Sequence, residues 1–208
     1  MAEIRVFAGG LTMMRAAAEY VVSVAEAAMS TRGHFSIALS GGATPKALYE
    51  LLATDEFTRY IDWSFVRVFW GDERCVAPDH YDSNYRMAKD TLLEYVRIPV
   101  GNIYRIRGEY DPQTAADEYE KSLRSYFLRG TRPLSERQPR FDLVLLGIGE
   151  DGHTASLFPG TEALNEEVRW VSANYVEQLD TWRVTLTPSA LNAAANVLFL
   201  VTGAKKAE

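Results

Sequence analysis

A chain of 208 residues that is 47% hydrophobic and 24% charged has the apolar area for one packed domain, two at most, and is not a disordered tail. Its 28 acidic and 22 basic side chains leave a formal charge of −6, which argues against nucleic acid or an anionic membrane as the main partner, since both require a basic field. The single cysteine, Cys75, excludes an intrachain disulfide framework and a cysteine-only zinc site.

No run approaches the roughly 18 apolar residues of a membrane span. The opening residues show no basic segment followed by an apolar core, so a reducing cytoplasm is the expected location. Residues 4–7 read as a short strand. Residues 11–31 are alanine-rich, with apolar side chains at helical spacing and no internal glycine or proline, and predict a long helix. Residues 35–39 form an apolar run ending in Ser40-Gly41-Gly42, the pattern of a buried strand entering a turn. A helix is predicted over 45–53, with Thr44 as N-cap and Pro45 in its first position. Residues 66–70 predict the next strand, and 83–95 and 112–128 predict helices with polar outer faces. The stretch 130–140, rich in Arg, Ser and Pro, predicts an exposed loop. A nearly continuous apolar strand is predicted over 141–146, a strand over 183–186, a short helix over 189–194 and a further buried strand over 197–201. Short apolar strands alternating with helices indicate an α/β fold, a mainly parallel, doubly wound, Rossmann-like sheet with helices on both faces. Ligands of such sheets bind at the carboxyl ends of strands, near the point where strand order reverses.

Three turns lie at those ends. In Ser40-Gly41-Gly42-Ala43-Thr44-Pro45, two adjacent glycines permit a close backbone approach, and the following helix aims free N–H groups at the turn, a general anion site suited to phosphate. It is not a Walker loop, which needs a Gly-Lys-Ser/Thr ending. In Gly71-Asp72-Glu73-Arg74-Cys75, charges follow directly on an apolar strand. Arg74 is a candidate contact for an anionic substrate, Asp72 or Glu73 for orienting it or a proton carrier, and Cys75 reads as a packed thiol. In Gly147-Ile148-Gly149-Glu150-Asp151-Gly152-His153, the glycines match a dinucleotide fingerprint. Pro159-Gly160 comes too soon for the required helix, and the acidic residues would crowd a pyrophosphate, so the match is a decoy. His153 is then the natural general base and Asp151 the group that fixes its tautomer. His34 and His80 read as structural. No metal-ligand spacing and no nucleophile elbow of the G-x-S-x-G type are present.

These blocks, with Asp82-Ser83-Asn84, Thr154-Ala155-Ser156-Leu157-Phe158-Pro159, Arg183-Val184-Thr185-Leu186-Thr187 and Gly203-Ala204-Lys205-Lys206-Ala207, resemble the 6-phosphogluconolactonase family along nearly the whole chain. The related glucosamine-6-phosphate deaminases carry Asp-Glu-Tyr where this chain has Asp72-Glu73-Arg74, and Ala-Phe-Asn-Glu-Pro where it has Ala155-Ser156-Leu157-Phe158-Pro159. Both differences favour the lactonase. The resemblance implies hydrolysis of 6-phospho-D-glucono-1,5-lactone by a single sugar-phosphate lactonase domain over 1–208, without metal or organic cofactor, as monomer or homodimer. The family's pattern continues with a helix and a closing strand, which this sequence is expected to lack. Catalysis is expected from His153, Asp151 and Arg74, with oxyanion donors from the glycine turns or Arg74. Substrate or phosphate binding is expected from Ser40, Gly41, Gly42, Thr44, Asp72, Arg183 and Lys206, the last two by family correspondence alone. Residues 176–182 depart from the family's Lys-Pro-Pro-type segment. An amino-sugar phosphate isomerase-deaminase and a non-catalytic sugar-phosphate sensor are the competing readings.

Overall fold

The computed structural model describes residues 3–128, 138–203 and 206. The predicted loop 130–140 therefore lies, up to residue 137, outside the described residues. Helix α1 (Gly10–Arg32) buries Met14, Ala17, Ala18, Val21, Ala25 and Ala28, steps of three, one, three, four and three that keep one stripe inward. It stops at Gly33, whose positive φ of 73° lets its N–H reach Met29 O. Strand β1 (Phe35–Leu39) is buried at every position and leads into α2 (Ala43–Leu52). Next come α3 (Asp55–Thr58), β2 (Val66–Trp70), β3 (Asp72–Arg74) and α4 (Asn84–Ala88), which runs into a π turn at Lys89–Leu93. Helix α5 (Pro112–Phe127), capped by Asp111, precedes β4 (Leu143–Leu146), β5 (Val171–Val176), β6 (Thr181–Leu186), α6 (Pro188–Asn192) and β7 (Val197–Phe199).

Four strands form a parallel sheet in the order β2-β1-β4-β7, and three form an antiparallel sheet in the order β3-β6-β5. From β1 the chain crosses one way to β2, then back past β1 to β4 and on to β7. Right-handed crossovers in opposite directions put their helices on opposite faces, so the fold is α/β and doubly wound as expected. The order reverses between β1 and β4. The two glycine-rich turns, after Leu39 and after Leu146, flank that reversal. Gly71 joins the sheets: its N–H donates to Leu39 O and its carbonyl accepts from Leu186 N–H, both at 2.8 Å.

Three local expectations need correction. Residues 4–7 form no strand, and Ile4 and Val6 are 88% and 90% exposed. An isolated segment gains no ladder hydrogen bonds, and among the described residues no neighbouring strand supplies them. Helix α2 has Gly42 as its N-cap, not Thr44. Gly42 has φ 101°, which a side chain would strain, and the Thr44 hydroxyl pairs instead with Thr202 Oγ1 at 2.7 Å. Finally, β7 is an edge strand, not a buried one: Val197 and Phe199 remain about two-fifths and half exposed.

Two tyrosines close the strand ends that feed the turns. Tyr49, from α2, accepts Ser40 N–H at 2.9 Å and donates to Ser40 O at 2.8 Å. Tyr119, from α5, does the same for Trp70, at 2.9 and 2.8 Å. Burial pushes both phenols well above their ordinary pKa, so each stays protonated and able to donate. Tyr49→Phe and Tyr119→Phe each strand a buried donor and a buried acceptor. Each is expected to lower unfolding free energy by about 1–3 kcal/mol in urea titrations. A loss below about 0.5 kcal/mol would show that these strand ends are held by other groups.

Candidate active site

The antiparallel sheet decides which polar side chains meet. Alternation along a strand puts Asp72 and Arg74 on one face of β3 and Glu73 on the other. Register places Asp72 opposite Thr185, Arg74 opposite Arg183, and Arg183 in turn opposite Asn174 of β5. Asp72, Arg74, Thr185, Arg183 and Asn174 therefore share one face. The segment after His153 docks on it through Ser156. The Ser156 hydroxyl donates to Asp72 Oδ2 at 2.7 Å, its N–H to Thr185 Oγ1 at 3.2 Å, and its carbonyl accepts from Asn174 Nδ2 at 2.8 Å. The histidine turn and the arginine pair are thus mounted on the same face.

Within that turn, His153 Nδ1 lies 2.5 Å from Asp151 Oδ1, and the His153 N–H reaches the same oxygen at 3.2 Å. Burial alone would raise the Asp151 carboxyl. The His153 hydrogen bonds outweigh it and hold the group below the usual carboxylate range, so at neutral pH Asp151 is ionised and accepts only. Nδ1 must then carry the proton, which leaves Nε2 of neutral His153 as a free acceptor. The ring stacks on Phe158, centroids 3.9 Å apart. Gly152 turns the chain at φ 84°, and the Gly149 N–H closes the loop on His153 O at 2.7 Å. Gly149 is obligatory for another reason. A Cβ there would sit 2.1 Å from His153 Nδ1 and 2.6 Å from Asp151 Oδ1. No α-helix begins between Gly152 and Pro188, in agreement with the decoy reading of the glycine pattern.

Arg74 and Arg183 stand directly opposite each other, and neither has an ion-pair partner within 4 Å among the described residues. Arg74 donates to Asp82 O at 2.6 Å, Arg183 to Thr181 Oγ1 and Trp182 O. Burial first, then the Arg74 charge, lowers the Arg183 pKa. Two half-buried guanidiniums side by side repel unless an anion lies between them. At the glycine turn, Ser40 is 4% exposed and its Oγ has no hydrogen-bond partner among the described residues, beneath the N-terminus of α2. Lys206 Nζ donates to Ile148 O at 2.6 Å, against the histidine turn.

Asp72 departs from its expected role. It is 6% exposed and spent on Ser156 and Asn84, so it holds the site together from below. Glu73 points to the opposite face, buried among backbone N–H groups. Burial drives the Cys75 thiol up to about 11 against the lowering influence of Arg183, the environment of an inert packed thiol and not of a nucleophile. Ser156, Asn174 and Phe158 are site-building residues that sequence reasoning passed over. Only the Ala-Ser-Leu-Phe-Pro block hinted at the first and last. A separate cavity of about 630 Å³, bordered by Tyr85, Ile103, Tyr104 and Tyr119, contains none of the expected site residues. Among the described residues no cluster of three or more His, Cys, Asp or Glu side chains fits a metal ion, and no helix is long and apolar enough to cross a membrane.

Residues 11–208 match the profile of glucosamine-6-phosphate isomerases/6-phosphogluconolactonase. The chain belongs to this family. It is 43% identical over 195 residues to a probable chloroplastic 6-phosphogluconolactonase 3 of Oryza sativa subsp. indica, covering 91% of this chain and 59% of that protein. It is 41% identical over 189 residues to a 6-phosphogluconolactonase of a Nostoc species, covering 90% and 75%. The solved 6-phosphogluconolactonase of Trypanosoma brucei superimposes with a TM-score of 0.88 at 35% identity, over 99% of this chain and 84% of that one. The chain thus spans about three-fifths of the rice relative's length. In the segment 176–182, Val176 ends β5 and Thr181 and Trp182 begin β6, paired across the hairpin; the connection between them is a single turn at Glu177–Leu179 and Asp180 at φ 46°.

Gly149→Ala is expected to cut turnover by roughly a hundredfold, since displacement by about an ångström costs that much in a positioned site. The global melting transition is expected to stay within a few degrees of the parent. Steady-state kinetics beside a thermal melt would check this. Unchanged turnover would mean that the Asp151–His153 contact is not needed.

Proposed function

We propose that this chain hydrolyses 6-phospho-D-glucono-1,5-lactone to 6-phosphogluconate, with His153 as general base. The observation that carries the reading is the Asp151–His153 pair, which leaves Nε2 as a base on the same sheet face as two unpaired guanidiniums. Names of relatives over most of the chain support the same substrate class.

In the proposed reaction a water donates its proton to His153 Nε2 as its oxygen bonds to the lactone carbonyl carbon. The carbonyl π electrons move to oxygen, and the tetrahedral oxyanion requires donors. Backbone N–H groups of the turn after Leu146 suit this role. Collapse reforms the carbonyl and breaks the bond to the ring oxygen, which leaves with its electron pair and takes the proton from the imidazolium. The acid product then loses its proton to solvent. Asp151 stabilises the transient imidazolium, as in other His–Asp systems. Arg74 and Arg183 form a clamp for the phosphate dianion, with the turn at Ser40, Gly41, Gly42 and Thr44 and with Lys206 at its margin. This moves Arg74 from the oxyanion to the phosphate, because its cross-strand partner is Arg183.

Lactone hydrolysis should be measured against its spontaneous background. His153→Ala is expected to lower kcat by about 10²–10⁴-fold with little change in KM. A variant keeping more than half the parent rate would remove His153 from the mechanism. Release of ammonia from glucosamine 6-phosphate, with no lactone turnover, would favour the isomerase-deaminase branch of the family.

Arg183→Ala removes a charge-assisted contact remote from the carbonyl, worth about 1.5–3 kcal/mol. KM is expected to rise roughly ten- to hundredfold while kcat holds. A loss confined to kcat would place Arg183 at the reacting carbon instead.

A further inference from the structure

Glu73 has no place in the chemistry above, yet it is 2% exposed and ionisable. Its carboxylate accepts the N–H groups of Arg74 and Asn84 on one oxygen, and Tyr85 N–H and the Ser83 hydroxyl on the other, at 2.7–3.1 Å. That fixes the start of α4. The residue so held, Asn84, is itself 2% exposed and bridges two of the three turns. Its Nδ2 donates to Asp72 O at 3.0 Å, with Asp72 Oδ1 at 3.4 Å. Its Oδ1 presses on Gly41 so closely that a Cβ at position 41 would lie 1.9 Å from it. Asp72 passes the contact on to Ser156, three residues beyond His153.

We propose that Asn84 is a positioning residue for selectivity: it spaces the anion-binding turn at Gly41 from the histidine turn. The site thereby favours lactones whose phosphate sits at one set distance from the carbonyl. This rests on the lactonase reading. The contact chain Gly41–Asn84–Asp72–Ser156 links the turn assigned to the phosphate with the segment after the assigned base, and none of its members is assigned to the attacking water or the carbonyl. A substrate anchored at both ends feels an error in spacing. A lactone without phosphate, anchored only at the carbonyl, does not.

The test is the ratio of kcat/KM for 6-phosphogluconolactone to that for glucono-1,5-lactone. Asn84→Ala is expected to lower this ratio about ten- to hundredfold, mostly through the phosphorylated substrate, with the unphosphorylated lactone within about threefold of the parent. Gly41→Ala is expected to lower the ratio too. The double variant Gly41→Ala/Asn84→Ala is expected to recover part of the Gly41→Ala loss, because it removes the three atoms nearest the new methyl. Should Asn84→Ala fail to fold, Asn84→Ser keeps a hydroxyl near Asp72 O while withdrawing from Gly41, and the same drop in ratio is expected. An unchanged ratio, or equal loss on both substrates, in a folded variant overturns the proposal. Parent protein that turns over neither lactone above background overturns the lactonase reading, and this proposal with it.

Discussion

A parallel sheet that binds a ligand at its strand ends must satisfy the backbone there without filling the space with loop. The N–H and C=O groups of Ser40, just past β1, and of Trp70, the last residue of β2, fall where the ladder runs out, and leaving them unpaired in a buried place costs about 1–3 kcal/mol each. Tyr49 and Tyr119 meet this constraint from below, each with one hydroxyl that accepts and donates. The turns above are thereby freed from supporting themselves. Gly71 is left to stitch the parallel sheet to the antiparallel one.

On the second sheet, alternation sets the arrangement. A three-residue strand of Asp72, Glu73 and Arg74 sends its first and third side chains to one face and its second to the other. The outer pair builds the site, while the middle carboxylate anchors α4. Docking of Ser156 on Asp72, Thr185 and Asn174 then brings the histidine turn to the arginines. Buried hydrogen bonds tie the histidine turn to β3 through Ser156 and the glycine turn to α2 through Tyr49.

The parts legible in the sequence were those governed by local pattern. β1, β2 and β4 read as strands because both of their faces are buried, so their residues are largely apolar. The Asp151–His153 pair was visible as a two-residue spacing between glycines. β3 was not legible as a strand, since three charged residues in a row look like a solvated loop until β6, about 110 residues later, is known to pair with it. β5 was missed for a similar reason: Ser172, Asn174 and Tyr175 break the apolar pattern, and Asn174 is buried only because Ser156 and Thr161 occupy its amide. Residues 4–7 show the reverse error, a strand-like pattern with no partner. Asn84 stood in a noticed motif, but its contacts with Asp72 and Gly41 span 12 and 43 positions, beyond any periodicity.

The arginine pair has a thermodynamic side. Like charges held opposite each other work against folding whenever no anion lies between them, and burial of Arg183 sharpens the effect. In a protein of net charge −6 the pair gathers two positive charges at one spot. A dianion that reaches that spot relieves internal strain as well as making contacts, so part of its affinity is folding free energy returned. Screening by salt relieves the same repulsion without occupying the site. Ionic strength therefore has two opposed consequences for this molecule: it steadies the free chain and weakens the attraction of the arginine pair for an anion.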